Sequence, residues 1–364
     1  MPTTPNLKKA FTDKLLIWNA LNNKRIMPWK GEKDPYKIWL SEIILQQTRV
    51  EQGLTYYEKF LEHFPTIDKL AQAPDEEVYK LWEGLGYYTR CKNLLATARN
   101  IVANNKGVFP KSFVEILQLK GVGNYTASAI ASFAYGLPHA VVDGNVLRVL
   151  SRFFGKQTPI DTTAGKEFYE KLAGELLDVK DTGGYNQAIM DFGATICKPQ
   201  LPECKVCILK DDCMAYRKGL VNKLPIKEKK LLKKKRWFYY FVFKYNDKIL
   251  VNKRTDRDIW QNLYEFYLHE AEASENWEQK KIEELLSKVL EINEFKIIDV
   301  SKVLIQQLTH QTISGQFILV DITYLPPTLN HLMSVPTEVL STLAFPKFIN
   351  QYLEIHSLAI NALS

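Results

Sequence analysis

The sequence predicts a multi-domain protein in which an all-α domain over residues 1–225 and an α/β domain over residues 237–364 are joined by a basic linker at 226–236. A chain of 364 residues with 46% hydrophobic content is long enough to bury two cores. Apolar residues recur at helical spacing before the linker and in short strand-like runs after it. The block 227–236 holds seven basic residues and one acid, nearly the whole net charge of +7. Such a block is either a solvated linker or a segment that follows phosphates.

Helical periodicity is clearest near the N-terminus, where Leu7, Phe11, Leu15 and Trp18 recur along one face of a helix expected over 6–24. Further helices are expected over 36–63, 75–83, up to residue 105, and from about 125 to 135. After the linker, the pattern predicts strands at 237–243, 249–251 and 312–325 and helices at 278–291 and 336–355. No apolar run has the length of a membrane span and the N-terminus lacks a signal-peptide pattern, so we expect a cytoplasmic protein without a membrane partner.

A turn with two glycines precedes the helix expected over about 125–135, which consists mainly of small residues. Gly121 and Gly123 lie on either side of one residue, and the helix that begins near Tyr125 has free amides at its N-terminus, which can bind a phosphate. This is a helix-hairpin-helix pattern, although an isolated glycine pair is more often an ordinary turn. The helix ends before Gly136, and a tight turn then presents Asp143. A DNA anchor and an acid are therefore expected close together in the chain.

A second acid lies in an apolar stripe. Glu42 follows Ile38 by four residues and precedes Leu45 by three, so it is expected to face inward. Burial raises the pKa of a carboxyl group, which can then stay protonated near neutral pH and act as a general acid for a poor leaving group such as a nucleobase. The alternative is a surface glutamate near a helix start.

Two loops carry aromatic residues beside glycine or proline. The turn 27–30 contains Trp29, and the loop 84–90 has two glycines, two tyrosines and an arginine. Aromatic side chains in such loops stack on bases or wedge between them in DNA-binding proteins. Each loop, taken alone, is more often a matter of ordinary packing.

Four of the five cysteines form a short comb with the spacing C-x6-C-x2-C-x5-C: Cys197, Cys204, Cys207 and Cys213. Disulfides are rare in a cytosolic chain, so a metal is expected. Zinc and a cubane iron–sulfur cluster both remain open, and the single C-x2-C pair mildly favours iron–sulfur.

The chain resembles MutY-type adenine DNA glycosylases of the endonuclease III superfamily in four motifs and in their order along the sequence: the helix 41–48, the loop 84–90, the hairpin with Asp143 and the cysteine comb. The resemblance implies an all-α helix-hairpin-helix glycosylase domain with an iron–sulfur subdomain, and a C-terminal Nudix-like domain that recognises 8-oxoguanine opposite the adenine. It also implies that the four cysteines hold a 4Fe-4S cluster. The expected reaction is hydrolysis of the N-glycosidic bond of an adenine flipped out of the duplex, in base excision repair.

The resemblance assigns roles to individual residues. Glu42 would protonate the adenine at N7, and Asp143 would stabilise the oxocarbenium-like sugar before water attacks, with support from Tyr125 and Asn145. Residues implied in binding are Arg25, Trp29 and Lys30 at the adenine pocket; Leu45, Gln47 and Tyr87 in the duplex; Gly121 and Gly123 on phosphate, with a monovalent cation; and Thr309 and His310 on the damaged base.

Three departures from the family pattern bear on activity. Lyase-competent relatives have a lysine where this chain has Tyr125, and a tyrosine cannot form an imine, so a monofunctional hydrolase is expected. Lys120 stands where the family usually has proline and is expected to contact phosphate. In the segment 308–310 the family's aromatic residue is replaced by Leu308, and the hydroxyl is kept by Thr309.

Three other functions share part of this pattern. A bifunctional glycosylase for oxidised pyrimidines would use the first domain but needs the missing lysine. A Nudix nucleotide hydrolase would use the second domain but needs an acidic metal box that the sequence lacks. A catalytically silent DNA-binding or redox-sensing protein would have no need for the paired acids. The resemblance implies double-stranded DNA with adenine opposite 8-oxoguanine or guanine as the partner. We expect it to be bound by a monomer of a bacterial-type, nucleoid-associated protein.

Overall fold

The computed structural model describes residues 4–228 and 232–361, which form two compact units. The first unit comprises Met1–Gln72 and Lys92–Lys230, and the second comprises Ala73–Cys91 and Leu231–Ser364. The second unit therefore includes a segment from the first quarter of the chain. Residues 229–231 of the expected basic linker lie outside the described residues, and the domain limits drawn from the sequence stay a prediction. No helix in the described part of the chain is long and apolar enough to cross a membrane.

The chain before the C-terminal sheet is helical. Its helices are α1 Pro5–Asn22, α2 Pro35–Leu45, α3 Val50–His63, α4 Ile67–Gln72, α5 Asp75–Trp82, α6 Thr89–Asn105, α7 Phe113–Leu117, α8 Asn124–Tyr135, α9 Gly144–Phe153, α10 Thr163–Leu176, α11 Thr182–Thr195 and α12 Met214–Arg217.

Local sequence signals fix the ends of the helices that matter for the site. Asp34 caps α2 by accepting a hydrogen bond from the Tyr36 amide, and Pro35 occupies the first helical turn, where a missing N–H costs nothing. Helix α8 ends at Gly136, whose φ of +65° is the left-handed conformation that glycine adopts without strain. These boundaries set where Glu42 lies on α2 and where the chain turns toward Asp143.

The helices of the first unit pack as two groups. Helix α2 packs on α3 and α8, and α8 packs on α7. In the other group, α1 packs with α9, α10 and α11 around a core that includes Phe11, Leu15, Phe153 and Phe192. Cys197, Cys207 and Cys213 also pack against this core.

The second unit is built on a mixed sheet, which has eight strands within the described residues. They are β1 Lys234–Tyr245, β2 Lys248–Lys253, β3 Tyr264–Glu265, β4 Tyr267–Ala271, β5 Phe295–Val300, β6 Leu304–Gln307, β7 Gln311–Ile322 and β8 Met333–Pro336. Two helices accompany them, α13 Gln279–Glu284 and α14 Lys347–Asn361.

Strands β1 and β7 form the centre of the sheet and run parallel to each other, and the remaining pairs are antiparallel. Both faces of β1 are covered, which explains its continuous apolar run. On one face Tyr239 and Phe241 pack with Trp277, and on the other Tyr240 stacks on Phe317. The sequence prediction of an all-α domain followed by an α/β domain is confirmed.

Several predicted elements differ in detail. Strand β1 begins at Lys234, three residues earlier than predicted, because the end of the basic block pairs with β7. The helix predicted at 278–291 is α13 followed by a wider π-helical turn at Leu285–Val289. The stretch predicted as helix from 336 is β8, a 3-10 helix at Thr337–Thr342, and then α14.

Candidate active site

A cavity of about 460 Å³ lies in the first unit and brings together residues from distant parts of the sequence. Eight of the predicted site residues line it: Arg25, Trp29, Lys30, Glu42, Leu45, Tyr125, Asp143 and Asn145. Its volume falls in the range of small-ligand sites. The cavity is therefore the candidate active site.

Glu42 lies on the cavity side of α2 and is buried, with 6% of its surface exposed. The pKa of its carboxyl group is raised to about 7, because burial and, to a smaller extent, the Asp143 charge outweigh a hydrogen bond from Tyr125 that lowers it. A carboxyl group with this pKa carries a proton for a large part of the time at neutral pH. Glu42 can therefore donate a proton to a group bound in the cavity.

Asp143 lies at the start of α9 as its N-cap residue. Its Oδ1 accepts a hydrogen bond of 2.8 Å from the Val146 amide, and its Oδ2 accepts one of 2.6 Å from the Asn145 side chain. Burial raises the pKa of Asp143, whereas these donors and the Arg148 charge lower it. The donors favour the ionised form, so the cavity holds two carboxyl groups in different environments.

Arg148 supports the turn that carries Asp143 and Asn145. Its guanidinium donates to Asn145 Oδ1 at 2.8 Å and to the Gly144 carbonyl at 3.2 Å. It also donates to the carbonyls of Gly193 and Cys197, each at 2.7 Å. Because one rigid planar group makes all four bonds, it fixes this turn relative to α11 and the first cysteine of the comb.

Close packing of α9 on α11 depends on Gly193. A Cβ atom at this position would lie 2.7 Å from Asn145 Cβ. We therefore expect Gly193→Ala to displace Asn145. The reaction that takes place in this cavity should then be about 100-fold slower at single turnover, which is the usual effect of a small displacement in an active site. Gly174→Ala on α10 is the control, since a Cβ atom there meets nothing within 4 Å. Equal rates for both variants would show that the position of Asn145 does not matter.

The rim of the cavity is polar and charged. Arg25 Nη1 and Lys30 Nζ lie 2.9 and 3.1 Å from the carboxylate oxygens of Asp191, a residue of α11 with no exposed surface. Gln187, one turn earlier on α11, also donates to Asp191, at 3.0 Å, and lines the cavity. Trp29 packs edge-on against Tyr57, with ring centroids 5.5 Å apart.

The hairpin lies between α7 and α8, away from the cavity lining. Gly121 has a φ of +80°, and a Cβ atom there would lie 2.8 Å from Asn93 Cβ, so only glycine fits. No side chain caps the first amides of α8 after Gly123. Thr97 donates to the Lys120 carbonyl at 2.9 Å and holds the turn against α6. The amides are therefore available to an anion.

The cysteine comb follows α11 and is partly buried. Arg152 donates to Cys197 Sγ at 3.5 Å and to the carbonyls of Lys198 and Pro199 at 2.7 and 3.1 Å. The pKa of the Cys207 thiol is raised to about 12, mainly by burial and also by the other three cysteines of the comb. Cys91, by contrast, belongs to the second unit, where it is fully buried with its Sγ 4.0 Å from the Val78 carbonyl.

The thiols of the comb lie close together, beside the Arg152 guanidinium. Within residues 4–228 and 232–361, no group of three or more His, Cys, Asp or Glu side chains is arranged to hold a single metal ion. In a cubane each thiolate binds a different iron, so the four sulfurs surround the cluster instead of meeting at one point. Four neighbouring thiols beside the Arg152 guanidinium fit a cluster whose net charge is negative.

The second unit holds the other predicted DNA contacts. Tyr87 lies in the loop 84–90, is 39% exposed and has a φ of +48°. Its hydroxyl is hydrogen-bonded to the hydroxyl of Thr309, in the tight turn between β6 and β7. His310 follows, exposed, in the same turn. Two residues predicted separately, from opposite ends of the sequence, thus lie in direct contact.

The segment that carries Tyr87 is fastened to the C-terminal part of the unit at several points. Glu76 pairs with Lys253 at 2.8 Å, and Asn262 donates to the Tyr79 hydroxyl at 2.6 Å. Glu83 accepts a hydrogen bond of 2.7 Å from the Phe345 amide. These bonds position the loop 84–90 beside the turn at Thr309.

Not all of the predicted site residues belong to the cavity lining. Gln47 is exposed just beyond α2 and, like Gly121 and Gly123, is not part of the cavity lining. Sequence reasoning missed Asp191, Gln187 and Arg148. Asp191 carries the same signal that indicated Glu42, an acid within an apolar stripe, since it lies between Ala188 and Phe192, both buried.

Comparison with known proteins agrees with this architecture. Residues 40–173 match the HhH-GPD superfamily of base excision DNA repair proteins, and residues 238–354 match the NUDIX domain. A solved thermostable thymine-DNA glycosylase is 30% identical, with a TM-score of 0.54, over 58% of this chain and 97% of its own. An endonuclease III–DNA complex, 22% identical with a TM-score of 0.50, covers 58% of this chain and 98% of its own and shares the fold.

Curated relatives extend the match over both domains. An adenine DNA glycosylase of Buchnera aphidicola subsp. Schizaphis graminum is 38% identical over 262 residues, which cover 71% of this chain and 74% of the relative. A second, from Buchnera aphidicola subsp. Baizongia pistaciae, is 35% identical over 79% of this chain and 82% of its own. The Mus musculus adenine DNA glycosylase is 40% identical over 59% of this chain and 44% of its own. The chain therefore belongs to the adenine DNA glycosylase family of the helix-hairpin-helix superfamily.

Proposed function

We propose that this protein is a monofunctional glycosylase that removes adenine paired with 8-oxoguanine, and with guanine, by hydrolysing the N-glycosidic bond. The observation that carries this function is the pair of carboxyl groups in one cavity. Glu42 has a pKa of about 7, and Asp143 is held by donors that favour its anion. Cleavage of a glycosidic bond uses one proton donor and one anion in this way.

Glu42 acts as the general acid. Adenine is a poor leaving group, and protonation at N7 lets it depart as a neutral base. The hydrogen bond between Glu42 and Tyr125 orients the carboxyl group inside the cavity. Proton transfer from Glu42 thus assists the breaking of the bond to the sugar.

Asp143 acts on the sugar. As the bond breaks, positive charge develops at the anomeric carbon, and a carboxylate facing that carbon lowers the energy of the transition state. Asn145 holds one oxygen of Asp143 and is itself held by Arg148. After adenine leaves, water attacks and an abasic site remains.

The residues around the cavity support hydrolysis without strand cleavage. Tyr125 occupies the position from which lyase-competent relatives attack the sugar, and its phenol forms no imine. Lys120 is exposed on the hairpin and is not part of the cavity lining. Lys30 and Lys33 line the cavity, but the Lys30 ammonium is paired with Asp191 and the Lys33 ammonium donates to the Phe133 carbonyl. This arrangement supports a reaction without a lysine nucleophile.

We assign recognition of the opposite base to the second unit. Tyr87 and Thr309 form one hydroxyl pair beside His310. In a duplex with the adenine flipped out, Tyr87 would fill part of the gap, and Thr309 and His310 would contact 8-oxoguanine. The hydrogen bond keeps the Thr309 hydroxyl beside Tyr87, and a hydroxyl can both donate to and accept from a damaged base.

The hydrogen bond between Tyr87 and Thr309 predicts that the effects of removing the two hydroxyls are not additive. Tyr87→Phe and Thr309→Val each remove one hydroxyl and keep the shape of the side chain. Each is expected to lower the preference for 8-oxoguanine over guanine by about 5- to 10-fold, the value of one hydrogen bond, and the double variant is expected to do no worse than either single one. The measurement is the ratio of single-turnover rates on the two duplexes.

The control for this cycle is Tyr324→Phe. It removes a hydroxyl that donates to the Glu291 carbonyl elsewhere in the same unit. It should leave the preference unchanged. Fully additive effects of Tyr87→Phe and Thr309→Val would contradict a role for the pair.

We propose that Cys197, Cys204, Cys207 and Cys213 hold a 4Fe-4S cluster. Bound there, the cluster would cross-link the segment after α11 to the core around α9. Purified protein should contain about four iron atoms per chain and absorb broadly in the visible range. Cys207→Ala should lose iron and lower the melting temperature, whereas Cys91→Ala should retain iron. Zinc instead of iron in the intact protein would contradict the assignment.

We expect the backbone amides around Gly121 and Gly123 in the hairpin to bind a DNA phosphate, together with a monovalent cation.

The proposed activity is tested on duplexes with adenine opposite 8-oxoguanine, adenine opposite guanine, or thymine glycol. Strand breaks that appear only after alkali, fastest for 8-oxoguanine, are the expected result. Breaks without alkali at thymine glycol would instead identify a bifunctional enzyme for oxidised pyrimidines.

A further inference from the structure

Asp191 is a fully buried carboxylate that the proposed mechanism does not use. Its Oδ1 accepts hydrogen bonds from Arg25 Nη1 at 2.9 Å and from Gln187 Nε2 at 3.0 Å. Its Oδ2 accepts from Asn23 Nδ2 at 2.9 Å and from Lys30 Nζ at 3.1 Å. A carboxylate has about four lone-pair sites, so these four donors saturate it.

Three of the four donors line the cavity that contains Glu42: Arg25, Lys30 and Gln187. The hydrogen bonds to Asp191 orient each of these three side chains. The Gln187 amide must turn its NH2 group to the carboxylate, which leaves its carbonyl oxygen for the cavity. The Lys30 ammonium is held further by the Arg25 carbonyl, at 3.2 Å.

The charges around the cavity show what Asp191 offsets. Besides Glu42 and Asp143, the charged residues of the lining are Arg25, Lys30, Glu32, Lys33 and Asp181. Glu32 pairs with Lys37 at 3.3 Å, and the Lys33 ammonium donates to the Phe133 carbonyl. Arg25 and Lys30 make their ion pairs with Asp191. Without it, the two cations would lose these ion pairs in the cavity that also contains Glu42.

We propose that Asp191 is a positioning residue, which holds Arg25, Lys30 and Gln187 on the cavity wall and offsets the charge of the two cations in the cavity that contains Glu42. This inference rests on the proposed function, because it concerns the proton that Glu42 donates. A purely structural role for Asp191 would stabilise the fold and leave the protonation of Glu42 unchanged.

A change in the charge of the cavity wall would act on the pKa of Glu42. Burial raises that pKa most, a hydrogen bond from Tyr125 lowers it and the Asp143 charge raises it. A nearby positive charge without a counter-ion lowers the pKa of a carboxyl group by about 1–3 units. Removal of the Asp191 charge should therefore ionise Glu42 at lower pH.

The test compares the pH dependence of adenine release, at single turnover, for Asp191→Asn, Lys30→Met and the double variant. The rate should fall as Glu42 loses its proton. For Asp191→Asn the midpoint of that fall should move to lower pH by about one unit. Lys30→Met removes a cation and leaves the anion, so its midpoint should move to higher pH. In the double variant the midpoint should return toward that of the unaltered protein.

The control is Glu175→Gln, which breaks an ion pair with Lys8 in the same unit, outside the cavity lining. Its midpoint should not move. If Asp191→Asn fails to fold, Lys30→Met alone still tests the sign of the shift, since Lys30 is 30% exposed. Unchanged midpoints in both variants would overturn the inference, even if their rates fall.

A second readout separates this inference from the proposed function. The carboxyl carbon of Glu42 in 13C-labelled, DNA-free protein can be identified by its absence in Glu42→Gln and titrated directly. The same shifts are expected, down for Asp191→Asn and up for Lys30→Met. If no adenine is released by the unaltered protein, the function fails, and the titration still decides the role of Asp191.

Discussion

Replacement of Glu42 by glutamine is expected to slow adenine release by about 10²–10⁴-fold, the usual contribution of a general acid. Glutamine has nearly the same shape and still accepts the hydrogen bond of Tyr125, but it has no transferable proton. Binding of the duplex should be nearly unchanged, because Glu42 is buried inside the cavity, where it is not exposed to the DNA backbone. The measurement is the single-turnover rate constant on a duplex with adenine opposite 8-oxoguanine, with affinity measured separately.

The control for this variant is Glu175→Gln, the same chemical change at an exposed ion pair. It should leave the rate unchanged. A Glu42→Gln variant that releases adenine within a few-fold of the unaltered protein would remove Glu42 from the mechanism.

The same substitution should stabilise the protein at high pH. Folding raises the pKa of Glu42 from 4.5 to about 7. The folded state therefore binds a proton more tightly than the unfolded state, and stability is lost as the pH rises from 4.5 to 7. The loss is about 3 kcal/mol once the pH exceeds 7. Glu42→Gln should melt at a higher temperature than the unaltered protein at pH 8, with little difference at pH 4.

Replacement of Asp143 by asparagine is expected to lower the rate by at least about 100-fold. The amide oxygen can still cap α9 by accepting the Val146 hydrogen bond, so the turn should be retained. What is lost is the negative charge beside the sugar. The effect should therefore appear in the rate constant for bond cleavage, with retained affinity for the duplex.

A matched control for Asp143→Asn is Asp181→Asn. Asp181 caps α11 through the Gly184 amide and also belongs to the cavity lining, but no catalytic role falls to it. It should keep most of the activity. Comparable losses for the two variants would show that helix capping, and not the charge of Asp143, is what matters.

The central residues of the site could be predicted because their signals are local. Glu42 interrupts an apolar stripe on one helix, and Asp143 follows a turn between two helices. The structure places both in one buried cavity. The hairpin glycines are also local, since Gly121 requires a positive φ that other residues adopt with strain.

The features of the fold and of the candidate site that could not be predicted depend on contacts between distant parts of the sequence. Tyr87 and Thr309 are separated by 222 positions, and no periodicity indicates that their hydroxyls meet. The role proposed for Asp191 depends on its ion pairs with Arg25 and Lys30, which precede it by more than 160 residues. The short strands β3 to β6 were missed because pairing with β1, β2 or β7, more than their own residue pattern, makes them strands.

The most direct test of this account is the single-turnover rate of adenine release from a duplex with adenine opposite 8-oxoguanine, measured between about pH 5 and pH 9, the range that brackets the pKa of Glu42. The account predicts free adenine, an intact strand until alkali is added, and a rate that falls with a midpoint near pH 7, where Glu42 loses its proton. Absence of free adenine, or a rate that stays constant across this range, would contradict it.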